Sequence, residues 1–330
     1  MNHKRTAPMK TYLAAAALAC LTALFCISMP TLAFAESLQP DPLDHAAMKA
    51  AEIEAGESEL KSLSANAWTR SSLGWLAEDG ATIIPGALVK GIDVSSHQGT
   101  IDWDSVKADG ISFAILRVGY GGDYYDQDDS TFAYNASECK RLGIPFGVYI
   151  YSYAYNADMA LSEADHVLRV LGGMELDYPV YYDLEYLVDG RPGGILGGTT
   201  GTMSNSELAY SASVFCQHIA QAGYTPGIYA NLNWWNNFLT DSVFNNWERW
   251  VAQYPYHPGD LCTYAGEYKV WQAADDAHVA GVSGNVDVNF DYYPYRGGAN
   301  YRWGDLNING VANIVDAQIA YDLATDRNGE

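Results

Sequence analysis

From Gly91 onward the chain alternates short apolar or aromatic runs with longer segments in which apolar residues recur every three or four positions. The first pattern suits buried strands and the second amphipathic helices. Strands are predicted over 91–95, 113–119, 146–153, 180–185, 227–230, 250–254, 268–272 and 285–289. The clearest helix opens with Ser204 and Glu207 as a capping box, carries Leu208, Ala212, Phe215, Ile219 and Ala222 on one face, and stops at Gly223. A second runs from Ala157 to Leu171 behind Asn156, with Ala160, Leu161, Ala164, Val167, Leu168 and Leu171 as its apolar stripe. Shorter helices are expected after Asp102, Ser130 and Asn231. Eight strands with about five helices, crowded toward the first half, predict an α/β fold: an irregular TIM-like barrel whose last strands follow one another with little helix between them.

With 330 residues, 48% of them hydrophobic, the chain can bury a large core. Its 18 basic against 40 acidic residues give a formal net charge of -22, which repels nucleic acid and anionic membrane alike. Residues 1–35 read as a signal peptide: Lys4, Arg5 and Lys10 precede an apolar run from Leu13 to Ile27, and Ala33-Phe34-Ala35 offers a cleavage site. That implies a secreted or cell-wall-associated protein with no membrane contact after cleavage. Residues 36–89 form an acidic, partly helical leader, 90–294 the barrel, and 295–303 a linker. Two of the five cysteines lie in the signal, leaving Cys139, Cys216 and Cys262 with no metal-ligand spacing; they are expected to be structural or free, with room for one disulfide.

The chemistry concentrates in Tyr181-Tyr182-Asp183-Leu184-Glu185. Residues i and i+2 of a strand share a face, so Asp183 and Glu185 look into one space. In barrels of this kind, sites lie at the C-terminal ends of the strands. Asp93 falls near the end of the first strand and Asp287 lies in the eighth, so four carboxylates are expected on one rim. An isolated Asp at a strand end is ordinarily a loop cap, but four on one rim are not. Arg117 sits inside a strand and is expected to point into the barrel, while His97 is expected either beside Asp93 or packed in its loop. Tyr120, Tyr151, Tyr153 and Trp271, together with Trp234 and Trp235, are candidate sugar platforms among aromatics that mostly build core.

Three motifs carry a family resemblance. Gly91-Ile92-Asp93-Val94-Ser95-Ser96-His97-Gln98-Gly99 with Ile101-Asp102-Trp103, then Tyr182-Asp183-Leu184-Glu185, then Trp271-Gln272 with Val286-Asp287-Val288-Asn289, resemble glycoside hydrolase family 25 in order and strand position. The resemblance implies a barrel of eight strands and five helices and cleavage of the β-1,4 bond between N-acetylmuramic acid and N-acetylglucosamine in peptidoglycan glycan strands, with no cofactor for catalysis. It implies that Glu185 is the general acid and that Asp183, Asp93 and Asp287 are the other active-site carboxylates.

The chemistry agrees. Glycoside cleavage passes through an oxocarbenium-like transition state and needs a proton donor plus nearby negative charge. Neighbouring carboxylates disfavour ionisation of Glu185, which suits it to be the donor. Asp183 would attack the anomeric carbon or steady the charge if the substrate's N-acetyl group attacks instead. Asp93 and Asp287 would bind substrate or order Asp183, with Asn289 supporting Asp287 and itself expected to bind substrate. Two alternatives stand beside this reading. One is a chitinase resembling glycoside hydrolase family 18, which expects further acids where this chain has Tyr178 and Tyr181; the other is a wall-binding protein that has lost catalysis.

At the C-terminus, residues 304–330 hold oxygen-bearing side chains in the spacing of a calcium-binding loop: Asp305, Asn307, Asn309, the Val311 carbonyl and Asp316 as ligands, Asn313 through water, and Gly310 at the turn. Asp in place of the usual final Glu resembles half of a dockerin domain, which implies a Ca2+ ion there and a cohesin-like partner.

Overall fold

A computed structural model describes residues 68–185 and 203–292 of the chain. In chain order its strands are β1 (Arg70–Ser71), β2 (Gly74–Trp75), β3 (Val89–Val94), β4 (Phe113–Tyr120), β5 (Phe146–Tyr151), β6 (Val180–Asp183), β7 (Pro226–Asn231), β8 (Glu248–Ala252), β9 (Val270–Ala277) and β10 (Val286–Asp291). The helices are α1 (Trp103–Ala108), α2 (Phe132–Leu142), α3 (Ala157–Leu171), α4 (Asn205–Gln221) and α5 (Leu232–Asn237). Strands β3 to β10 close into a barrel in which each pairs with its successor and β10 returns to β3. All neighbours from β3 to β9 are parallel, whereas β10 runs antiparallel to both β9 and β3. The predicted barrel, its eight strands and its five helices are all present, and the last three strands lack helices between them.

The helices begin where the sequence supplies an acceptor. Asn156 caps α3 by accepting from the Met159 amide at 3.0 Å, and Ser204 and Glu207 form the expected reciprocal box at the start of α4. Gly172 ends α3 in the left-handed conformation, with φ +53°. One expectation for α3 needs correction: Leu161 is exposed, and the buried face instead includes Glu163 and His166. Residues 160, 163, 164, 167 and 171 form the inward stripe, so the apolar letter at 161 falls off it.

Period-two alternation divides the strand side chains between two cores. Ala114, Leu116, Val148, Ile150, Val180 and Tyr182 face outward into the layer beneath the helices. Phe113, Ile115, Tyr149, Tyr151, Tyr181, Tyr229 and Trp250 fill the lumen. Glycine makes room for these rings: a Cβ at Gly91 would lie 2.4 Å from the Phe113 ring, and one at Gly227 2.5 Å from Tyr181. The lumen is therefore packed rather than open below its upper mouth.

The packed unit starts upstream of Gly91. Trp68 and Trp75 cover the outer face of β10, with ring centroids 5.4 and 5.8 Å from Phe290, and Trp68 also meets Trp271 of β9 edge-on at 6.1 Å. No helix follows β9 to shield this side of the barrel, so the hairpin of β1 and β2 and its flanking tryptophans do so. Cys139, Cys216 and Cys262 are all free, and burial pushes the Cys139 and Cys216 thiols far up, which makes them inert. Among the described residues no helix is long and apolar enough to cross a membrane. The signal sequence, most of the leader, the linker and the proposed calcium loop with Asp305, Asn307, Asn309, Val311 and Asp316 lie outside the described residues.

Candidate active site

The barrel brings all four predicted acids to one mouth. Asp93 of β3 and Asp287 of β10 face each other directly across the antiparallel closure. Asp183 ends β6, and Glu185 follows it just beyond the strand, where the Leu184 amide still bonds the Tyr229 carbonyl at 3.0 Å. That last bond keeps the strand's alternation through residue 185, so the two carboxylates share the inner side as their spacing requires. All four are nearly inaccessible, between 3% and 5% exposed.

A layer of neutral donors orders the acids. Gln272 Nε2 donates to Asp93 Oδ2 at 3.0 Å and to Asp287 Oδ2 at 3.1 Å, so one amide bridges the pair. Its own Oε1 accepts from the Tyr229 and Tyr254 hydroxyls at 2.7 and 2.9 Å. Burial pushes the Tyr229 phenol well up, which keeps its proton available for that bond. Asn289 Nδ2 donates to Asp93 Oδ2 at 2.6 Å while its Oδ1 accepts from Trp250 Nε1 at 2.8 Å. The expected support of Asp287 by Asn289 is thus corrected: Asn289 holds Asp93. It is also fully buried with both ends of its amide engaged, so it orients an acid rather than binding sugar.

Desolvation dominates the electrostatics. Burial raises Asp93 to about 6 against the opposing hydrogen bonds from Asn289, Gln272 and Asp287. Asp287 is raised well above the usual carboxylate range by burial first and then by Asp93, Asp275 and Glu185. Burial and mutual repulsion disfavour a second charge in that pair, so the two acids titrate as a unit. Asp183 is likewise raised well above its ordinary value by burial, then by Glu185 and Asp93, with Arg117 opposing. Its Oδ1 is buried and has no hydrogen-bond partner among the described residues. A buried acceptor left unpaired is costly, and this one belongs to the acid that ends β6 at the mouth.

Arg117 does point inward, as expected, and besides opposing the rise of Asp183 it pairs with Asp129. Its Nε donates to Asp129 Oδ2 at 2.8 Å and Nη2 to Ser96 Oγ at 2.9 Å. Asp129 also accepts from the Ser96 and Thr131 amides, which locks this ion pair under the loops. His97 is exposed on the short turn Ser96–Gln98, so the buried loop position expected as one option is not observed.

Of the proposed sugar platforms, Tyr120 and Tyr153 are half-buried at the mouth, with ring centroids 5.7 Å apart and edge to face. Tyr151 lies beneath Tyr153 at 5.6 Å and is only 1% exposed, so it forms the floor and offers no open face. Trp271 is wrongly placed by the sequence reading. It is fully buried on the outside of the barrel against Trp68 and Phe290, because Val270 and Gln272 on either side take the lumen. Trp234 and Trp235 are also buried, on α5. The important residue missed is Gln272; its i, i+2 relation to Val270 puts it on the inward face, but a neutral amide carries no chemical flag of its own.

The arrangement is a desolvated cluster of acids at the mouth of an otherwise filled barrel, and the comparisons with known proteins agree with it. The sequence profile of Glycosyl hydrolases family 25 matches residues 92–282, which include Asp93, Asp183 and Glu185, with Asp287 just beyond. Among curated proteins, Lysozyme M1 of Streptomyces globisporus is 28% identical over 211 residues, covering 61% of this chain and 67% of that protein. An autolytic lysozyme of Clostridium acetobutylicum is 25% identical over 202 residues, covering 61% and 55%. Among solved structures, the modular autolysin LytC of Streptococcus pneumoniae, determined in complex with a synthetic peptidoglycan ligand, is 26% identical with a TM-score of 0.55, covering 71% of this chain and 53% of LytC. This chain thus spans little more than half of two of these relatives and about two thirds of the third. A profile match over more than half of the chain's length, joined to an eight-stranded barrel with its acids at one mouth, makes this chain a member of glycosyl hydrolases family 25.

Proposed function

We propose that this chain is a secreted muramidase that hydrolyses the β-1,4 bond between N-acetylmuramic acid and N-acetylglucosamine in peptidoglycan. The observation that carries the reading is the juxtaposition of Asp183 and Glu185 with the Asp93–Asp287 pair at the end of the barrel where its parallel strands terminate, the face that carries active sites in such barrels. The lysozyme names of two relatives and the peptidoglycan ligand of LytC support the choice of substrate.

Glu185 protonates the leaving oxygen as the glycosidic bond breaks, and water that adds to the anomeric carbon returns a proton to Glu185. Asp183 presents its unpaired Oδ1 to the positive charge that develops at the sugar ring. Burial makes the Asp183 charge costly until an opposite charge lies beside it, so the interaction strengthens as the sugar ring becomes positive, which is the differential stabilisation catalysis requires. Asp93, held by Gln272 and Asn289, and Asp287, bridged to it by Gln272, keep the amide layer and Asp183 in register. Tyr120 and Tyr153 flank the sugar.

Release of reducing ends from purified peptidoglycan tests the assignment. Glu185→Gln is expected to lower the rate by roughly 10²–10⁴-fold, the usual contribution of a general acid. An unchanged rate would remove Glu185 from that role, and an inactive parent protein would favour a wall-binding function.

The secreted location rests on the signal-peptide pattern of residues 1–35. The C-terminal segment is proposed as a calcium-binding, dockerin-like half-module whose partner is a cohesin-like domain. Calorimetry on the full chain is expected to show calcium binding that Asp305→Ala abolishes; equal affinity in the variant rejects the ligand set.

A further inference from the structure

Glu163 is a completely buried acid that the proposed chemistry does not use. It projects from α3 into the layer between helices and barrel, and its partners among the described residues are all neutral donors. One carboxylate oxygen accepts from the Tyr153 amide at 2.6 Å; the other accepts from Ser152 Oγ at 2.8 Å and from Tyr182 Oη at 2.6 Å. Burial raises Glu163 to about 7 despite these bonds. An apolar side chain would fill the same layer without that desolvation cost.

The three donors belong to the two strand ends that build the acid pair and one wall of the mouth. Tyr182 immediately precedes Asp183, and its ring lies flat on Phe215 of α4, with centroids 4.0 Å apart and planes 7° from parallel. With its hydroxyl tied to Glu163 as well, the outward face of β6 is held at both ring and tip, and this sets how Asp183 projects inward. On the other side the Ser152 amide donates to the Asp183 carbonyl at 3.1 Å. Tyr153, whose own amide is held by Glu163, is the half-buried ring beside Tyr120.

We infer that Glu163 is a positioning residue: through Tyr182, Ser152 and the Tyr153 amide it aligns the Asp183–Glu185 pair with the aromatic wall that receives the glycan. Its kinetic consequence rests on the muramidase reading, whereas its structural consequence does not.

The test uses Glu163→Gln, Tyr182→Phe and the double variant, with kcat and KM on purified peptidoglycan and thermal melts in parallel. Tyr182→Phe keeps the stacked ring and removes the hydroxyl, with its bond to Glu163 and the one it accepts from Ser152 Oγ. It is expected to lower kcat on the order of tenfold, since small misplacements of reacting groups are expensive, with KM changed less than about twofold. The double variant is expected to fall no further than the weaker single, because both changes cut the same link. Unchanged kcat well below a lowered melting temperature would reduce Glu163 to a packing role and overturn the inference, as would fully additive losses. Backbone amide chemical shifts of Tyr153, Asp183 and Glu185 in Glu163→Gln supply a readout that needs no turnover. They are expected to move, and unmoved shifts overturn the inference whatever the activity. An inactive parent protein with shifted amides in the variant defeats the muramidase reading alone.

Discussion

The barrel lumen buries carboxylates at both of its ends, and the two ends treat them in opposite ways. Asp287 and Asp291 lie four residues apart on the same face of β10, with Asn289 between them. At the lower end Asp291 accepts from the Tyr178 hydroxyl at 2.7 Å and pairs with Lys269 Nζ at 3.2 Å. Lys269 lies over the Tyr178 ring at 5.2 Å, and Phe113 stacks on that ring at 4.9 Å. Every charge there is answered by another, and the cluster is a plug. At the upper end Asp93, Asp183, Asp287 and Glu185 crowd together; amides order Asp93 and Asp287, and Arg117, which also pairs with Asp129, offsets the rise of Asp183 only in part. At the lower end the acid faces a cation inside the barrel, whereas at the mouth acids outnumber the cation beside them, which suits them to charge that arrives with the substrate.

The strongest way to break this contrast is to remove the lower cation. Lys269→Met leaves Asp291 buried and uncompensated, which is expected to cost about 3–5 kcal/mol of stability by denaturant titration. The surviving folded fraction should keep its rate at low temperature. A variant as stable as the parent would mean the lower acid is no better paired than the upper ones.

The converse change at the mouth should stabilise. Asp183→Asn removes an acid whose ionisation burial opposes, and at pH 8 it is expected to add roughly 0.5–2 kcal/mol while lowering activity. The sign follows from the raised values of Asp93, Asp183, Asp287 and Glu163. Each favours the native state fully below its unfolded value and loses that contribution as pH rises through its folded one. For Asp93 and Glu163 the loss runs from about pH 4 to about 6 and 7, so the parent's melting temperature should decline across that window. The decline should be shallower in Asp183→Asn. An equally steep decline, or a variant less stable at pH 8, would contradict the electrostatic picture of the mouth.

The smallest expected effect concerns ions. With a chain charge of -22, affinity for an anionic wall must come from stacking and hydrogen bonds. KM is therefore expected to change less than about twofold between ~50 mM and ~500 mM NaCl, over which Coulomb attraction would be strongly screened. A steep rise in KM would reveal a basic subsite.

Much of the architecture was legible before any coordinates. All eight predicted strands overlap observed ones, α3 occupies its predicted span, and Ser204 and Glu207 cap α4. These features depend on neighbours within a few residues, so local spacing reveals them. Partnerships across the closure were less legible. Asn289 was expected to serve Asp287 two residues away, but its amide crosses to Asp93 on the adjoining strand. Trp271 was read as a platform from its position near a strand end, but the alternation about it sends it outward. Glu163 and His166 sat unnoticed on α3 because a polar residue on an apolar stripe cannot be told from a misaligned one until its donors are known.

The sequence by itself determined which residues share a face, because a strand's period of two and a helix's period of 3.6 are set by local covalent geometry. Together with the motif order, that was enough to assemble Asp93, Asp183, Glu185 and Asp287 on one rim. Tertiary structure alone decided what surrounds them: which face is lumen, which amide crosses the closure, which cation is already taken and which carboxylate oxygen is left without a partner. Those features depend on side chains up to 196 positions apart, as Asn289 and Asp93 are, and no local pattern encodes a contact that exists only once the barrel has closed.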